Sequence, residues 1–169
     1  KAELPYPCAL EVYDSYTRDQ LFAALGFAKP ASIREGVKYL DHTNSDTVTR
    51  PTDVFLVTLN KSQKEFSDTT LYEDYSIDRH LFHWQSQSTT TPESKTGQRY
   101  LSQRETGSIV LLFVRSAKQD ACRNAMAYTF LGTAKIVSHE GSQPISIIYR
   151  LDQPIPAKYI TKTDSSGVL

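Results

Sequence analysis

Apolar positions fall in short runs separated by polar segments, and most runs have the period of a strand rather than of a helix. Residues 108–115 (Ser-Ile-Val-Leu-Leu-Phe-Val-Arg) and 52–60 (Thr-Asp-Val-Phe-Leu-Val-Thr-Leu-Asn) are apolar enough for the centre of a sheet. Residues 80–87 alternate: His80, Phe82, Trp84 and Ser86 share one face, and Leu81, His83, Gln85 and Gln87 the other. The first face is expected to meet the core. Further strands are expected at 37–40, 126–130, 133–140 and 144–151, with a bulge or bend at Leu131 and Gly132 and a hairpin turn at Gly141 and Ser142.

Two segments carry helix signals. Thr17-Arg-Asp-Gln20 is a capping box, in which Thr17 accepts from the amide three residues on and Gln20 reaches back. Leu21, Phe22, Ala24 and Leu25 follow, and Gly26 stands where a left-handed cap is wanted. Thr91-Pro92 reads as an N-cap with proline at the first helical position. The helix then expected over 92–103 tolerates Gly97 at a cost of about 1 kcal/mol. Short turns join most strands and favour antiparallel pairing. The expected fold is therefore α+β, mainly β: a strongly curved antiparallel sheet or pseudobarrel with two short helices. Residues 1–12 read as a lead-in or linker, 13–160 as a single domain and 161–169 as a frayed tail.

Composition narrows the function classes. There are 19 basic and 19 acidic residues, so net charge argues neither for nor against a polyanion partner. Their distribution says more. Residues 65–78 hold Glu65, Asp68, Glu73, Asp74 and Asp78 with no Lys or Arg, whereas 79–104 hold Arg79, Lys95, Arg99 and Arg104 against Glu93. These are either two solvated surfaces or one side of a polyanion groove. Cys8 and Cys122 make neither a zinc pattern nor a disulfide framework, which suits a reducing cytoplasm. The run 109–114 is too short to cross a bilayer, so no membrane partner is expected. The chain opens at Lys1 and its single Met is Met126, as expected of a piece of a longer protein.

The segment after Trp84 is the densest in hydrogen-bonding groups. Ser88 and Thr90 lead towards the expected helix N-terminus, where amides and the dipole favour a phosphate. Lys95 and Arg99 lie one turn apart, with Thr96 beside Lys95. With Lys61, these form the candidate phosphate-binding set; an ordinary capped helix is the other reading. Tyr72, His83, Trp84, Gln85 and Gln87 are candidates to contact a base or sugar, by stacking or by amide readout. Trp84 reads first as a core residue, and each glutamine first as a cross-strand partner. Asp78 with Glu93-Ser-Lys95 resembles the layout of a Mg²⁺-dependent nuclease, but Glu93 falls at a helix start rather than on a strand. No catalytic residue, cofactor or metal site is assigned. His80 and His83 face opposite ways, and Gly-x-Ser-x-Gly and Gly-x-x-x-x-Gly-Lys-Ser/Thr patterns are absent from the sequence.

From Tyr13 onward the chain resembles a bacterial domain without a settled activity. The residues that carry this are Tyr16-Thr-Arg-Asp-Gln-Leu21, Glu35-Gly-Val37, Thr58-Leu-Asn-Lys61, Tyr72-Glu-Asp-Tyr75, Phe82-His-Trp-Gln-Ser-Gln87, Thr96-Gly-Gln-Arg-Tyr100, Ile109-Val-Leu-Leu-Phe-Val-Arg115, Phe130-Leu-Gly132 and Ser138-His-Glu-Gly141. The family is the uncharacterised C-terminal domain of DEAD/DEAH-type helicases, often preceded by a phospholipase-D-type nuclease module. The resemblance implies a restriction or antiviral defence context and linked helicase and nuclease domains. It implies double-stranded DNA, including modified DNA, as a ligand, and it carries no catalytic residue. The expectation is thus a cytoplasmic, DNA-binding accessory domain without catalysis of its own. The alternatives are a Mg²⁺-dependent nuclease and a module that docks on the helicase core.

Overall fold

In the computed structural model, residues 3–27, 36–59 and 74–160 are described. In chain order the elements are β1 (Ser15–Tyr16), α1 (Arg18–Ala24), β2 (Val37–Leu40), β3 (Thr52–Thr58), β4 (Tyr75–Ser76), β5 (Leu81–Gln85), α2 (Lys95–Leu101), α3 (Gln103–Thr106), β6 (Ile109–Arg115), β7 (Tyr128–Glu140) and β8 (Ser146–Leu151). A 3-10 turn at Ala157–Tyr159 follows. Among the described residues the chain is mainly β with three short α-helices. The two most apolar sequence runs became β3 and β6, and they pair in parallel, from Thr52↔Ile109 to Thr58↔Arg115. The other strand pairs for which a register is defined are antiparallel. The sheet is thus mainly antiparallel, as expected, but the parallel β3–β6 pair makes it mixed. A parallel pair needs a long crossover, and the crossover here is the whole stretch from 59 to 108.

The chain divides into two compact units, one drawn from Lys1–Asn60 and Ser108–Ala134, the other from Lys61–Gly107 and Lys135–Leu169. In the first unit the strand order is β2-β3-β6-β7, with β1 on β7; in the second it is β7-β8-β5-β4. Among the described residues neither path closes into a ring. The first unit's core gathers Leu21, Phe22 and Leu25 around α1, Val54 and Leu56 from β3, Leu111 and Phe113 from β6, and Tyr128 and Phe130 from β7. The Phe113 and Phe130 rings stack with centroids 4.7 Å apart. Burying such aromatics contributes the largest apolar areas in the unit. Every residue of β3 is buried, and Thr52 is accommodated because its hydroxyl bonds the Tyr6 hydroxyl at 2.8 Å. Burial pushes the Tyr6 hydroxyl pKa up. From residue 3 onward, then, the expected lead-in is partly built into the core: Tyr6 and Leu10 are buried, and Leu4, Cys8 and Val12 pack against them.

The helix signals came out unequally. Both capping-box bonds of α1 form: the Thr17 amide donates to Gln20 Oε1 at 2.9 Å and the Gln20 amide to Thr17 Oγ1 at 3.1 Å. Gly26 follows with φ 68°. The second helix starts later than its sequence suggests, with Ser94 rather than Thr91 as N-cap. It breaks at Ser102, so that α3 is a separate turn closed by Gly107 in the left-handed region. Gln103 is buried, and its Oε1 accepts the Ile136 amide of β7 at 2.8 Å. Arg104 donates to the Ile136 carbonyl from the same side. No helix among the described residues is long and apolar enough to cross a membrane.

Candidate functional site

Lys61 and Tyr72 lie outside the described residues, as do Glu65, Asp68 and Glu73 of the acidic segment. The remaining predicted site residues all belong to the second unit. Phe82 and Trp84 face inward from β5 as their alternation requires, but His80 is exposed, because β5 begins only at Leu81. Trp84 is 3% exposed. Its ring meets Tyr100 edge-on at 5.2 Å and Tyr149 at 6.2 Å, so it is part of an aromatic cluster.

The hydroxyls and amides after Trp84 are engaged internally. Ser86 Oγ accepts the Ile145 amide at 2.8 Å. Gln87 Oε1 accepts from Thr90 Oγ1 at 3.1 Å and from the Tyr100 hydroxyl at 3.2 Å. Thr91 Oγ1 accepts the Ser94 amide at 3.2 Å, and Ser94 Oγ in turn accepts the Gly97 amide at 3.0 Å. The expected outward row of donors is thus an internal network that joins β5, the turn and α2. Buried polar groups require such partners, and a composition rich in hydroxyls does not say which way they point. Only Ser88 and Thr89 of this run are exposed.

What the segment does present is narrower. Lys95 is exposed and Arg99 half-buried on α2, one turn apart, with Thr96 half-buried between them. The Arg99 guanidinium lies 5.2 Å from the Tyr100 ring centroid. On β5, His83 stacks on Tyr75 of β4 at 4.7 Å and 19°, as their cross-strand register demands. Gln85 Nε2 donates to Ser146 Oγ at 3.1 Å. Asp78, a member of the nuclease-like trio, is a turn residue: its Oδ1 accepts the amides of His80 at 2.8 Å and Leu81 at 2.9 Å. Those two bonds hold its carboxyl below the usual range. Among the described residues no three His, Cys, Asp or Glu side chains gather in a way that could hold a metal ion.

A second candidate lies entirely in the first unit and was not foreseen. Thr17, Arg18, Arg115, Lys118, Gln119, Ala125, Met126 and Tyr128 surround a cavity of about 440 Å³. Three cations line it, and no carboxylate is among these lining residues. Arg18 is the first residue of α1, placed by the capping box; Arg115 ends β6; Lys118 lies in the loop between β6 and β7. That loop is folded back on itself. The Met126 amide bonds the Lys118 carbonyl at 2.9 Å, and Asp120 Oδ1 accepts the amides of Cys122 and Asn124.

Tyr128 organises the site. The Arg115 guanidinium lies 4.5 Å from its ring centroid, and Arg18 Nη2 donates to its hydroxyl at 3.2 Å. Arg115 Nε also donates to Thr58 Oγ1 at 2.9 Å. A stacked and bonded guanidinium keeps a fixed fork geometry, which is what planar recognition of a phosphate uses. Sequence reading missed the site because Arg18 stands 97 residues before Arg115 and each cation has a local role. The β1–β7 and β6–β7 pairings bring them together.

A family model described as a domain of unknown function (DUF3427) matches residues 10–162. No curated protein matches the chain. Among solved structures, SUVH6 of Arabidopsis thaliana in complex with SAM is similar, with a TM-score of 0.49 and 13% identity. That match covers 91% of this chain and 28% of the other, so the chain spans less than a third of that protein's length. The chain belongs to the DUF3427 family.

Proposed function

We propose that this DUF3427 domain binds duplex DNA as the accessory domain of a cytoplasmic restriction or antiviral-defence helicase–nuclease, with base modification as the feature it selects on. The observation that carries the reading is the convergence of Arg18, Arg115 and Lys118 on one aromatic-walled cavity. Phosphate contacts supply most of the affinity of DNA-binding proteins and set their register. Lys61, Lys95, Thr96 and Arg99 are a separate set of phosphate contacts in this proposal, all in the second unit, together with the exposed Ser88. Thr90 supports them from inside the turn through its bond to Gln87. Choice among bases falls to Tyr72 and His83, with Gln85 and Gln87 contributing only the amide groups that their bonds to Ser146, Thr90 and Tyr100 leave over, and Trp84 acting from the core as packing rather than as a contact. The helicase and nuclease modules would be carried elsewhere in the same protein, as the sequence resemblance suggests.

A salt titration of binding tests this, using the purified chain and unmodified, methylated, hydroxymethylated and phosphorothioated duplexes. Affinity should fall steeply as salt rises. Arg115→Ala and Lys118→Ala should each lower the slope of log K against log salt by about 1. A preference for one duplex supports selection by modification, and equal affinity for all four removes that part. No binding at low salt removes the DNA reading altogether.

A further inference from the structure

We infer that the cavity around Tyr128 receives a phosphate monoester, the terminal phosphate of a strand or of a free nucleotide, in preference to an internal phosphodiester. The inference deepens the DNA-binding reading and rests on it for the strand-end case. Charge is the first argument. Arg18, Arg115 and Lys118 line one small volume, whereas a surface that follows a duplex spreads its cations at the spacing of successive phosphates. An internal phosphodiester carries one negative charge. A monoester carries about −1.5 to −2 at neutral pH and offers three acceptor oxygens, so a site lined by two arginines and a lysine favours it over a singly charged phosphodiester.

Size and lining are the second. About 440 Å³ falls in the range of small-molecule sites. Ala125 and Met126 give an apolar wall for a sugar or base, and Gln119 and Thr17 supply uncharged polar groups. Preorganisation is the third. Thr58 and the Tyr128 ring fix Arg115, and the Tyr128 hydroxyl orients Arg18. A ligand that meets guanidiniums already in place loses less conformational freedom on binding.

The test uses blunt duplexes that differ only in carrying a 5′-phosphate, a 3′-phosphate or hydroxyl ends, with binding read by fluorescence anisotropy. Adenosine monophosphate, adenosine and inorganic phosphate serve in a parallel thermal-shift arm. A phosphorylated end should bind at least about tenfold tighter than a hydroxyl end, and adenosine monophosphate should compete where adenosine does not. Arg115→Lys keeps the charge, loses the fork and should lose the preference. Lys118→Ala, at an exposed loop position, should weaken it without threatening the fold. Stabilisation by adenosine monophosphate with no duplex binding would keep the monoester site, assign it to free nucleotide and sink the DNA reading. Salt-dependent duplex binding indifferent to end phosphorylation and to adenosine monophosphate would overturn the monoester site and leave the DNA reading intact.

Discussion

Gly97 sets two physical effects against each other, and Gly97→Ala decides between them. Helix propensity alone makes alanine more stable by about 1 kcal/mol in a helix interior. The structure says otherwise. A Cβ at Gly97 would run into the Thr91 carbonyl oxygen, with the carbonyl carbon at 3.0 Å and Ser94 Oγ at 3.1 Å. Thr91 has little room to yield, because its carbonyl accepts the Ser94 hydroxyl at 2.7 Å and the Ser94 amide at 3.1 Å. Displacing it strains the Ser94 cap, itself worth about 1 kcal/mol, and overpacking adds about 1–3 kcal/mol. The net expectation is a loss of about 1–3 kcal/mol. For a chain of this size Tm should drop by about 2–4 °C for each kcal/mol lost. Urea unfolding and thermal melts of the two proteins measure it directly. A Tm at or above that of the parent would refute the steric argument and return Gly97 to a mere weakness in the helix.

Three further outcomes follow from the same reasoning. Gln103→Met keeps the side-chain volume but strands the Ile136 amide, and should cost about 1–3 kcal/mol in urea unfolding; an unchanged midpoint would show that amide satisfied another way. Thr17→Ala removes one half of the capping box and should cost about 1 kcal/mol, while Thr17→Ser should cost far less; equal losses would count against the cap. Asp78 has a folded pKa held down by the His80 and Leu81 amides. The stability it supplies is therefore present above its unfolded pKa of about 3.9 and is lost as pH falls through the lower folded value. Asp78→Asn should flatten the acid limb of a stability–pH curve measured by urea midpoint, and a limb of unchanged steepness would contradict the assignment.

The strands were legible because period-2 alternation and apolar runs are local signals, and 37–40, 52–60, 80–87, 108–115 and 144–151 each contain one. The capping box was legible for the same reason. Pairing direction was not: whether residues 52–58 and 109–115 run together depends on the path taken by everything between them. The position of the second helix start was misread because Thr91 and Ser94 both satisfy the N-cap rule, and only the fold-back of the Thr91 carbonyl chooses between them. The cationic cavity could not be read at all. Arg18 looks like helix, Arg115 like a strand end and Lys118 like a solvated loop, and only the pairing of distant strands makes them neighbours.

Residue 131 gives the segment from 128 to 140 a change of phase that no substitution table would reveal. Phe113 pairs with Phe130 but Leu112 with Gly132, so Leu131 is the supernumerary residue. Before it, Tyr128 and Phe130 share the face of Leu111 and Phe113. After it that face belongs to Thr133, while Gly132 and Ala134 stand across from Leu112 and Val110. What reads as one continuous even-numbered stripe is two half-stripes of opposite phase. The extra residue is what lets both half-stripes be even-numbered. Deleting Leu131 would leave Phe130 opposite Phe113 and Gly132 opposite Leu112 as neighbours in an unbulged ladder, with every later side chain keeping its face and only the buried Leu131 side chain lost.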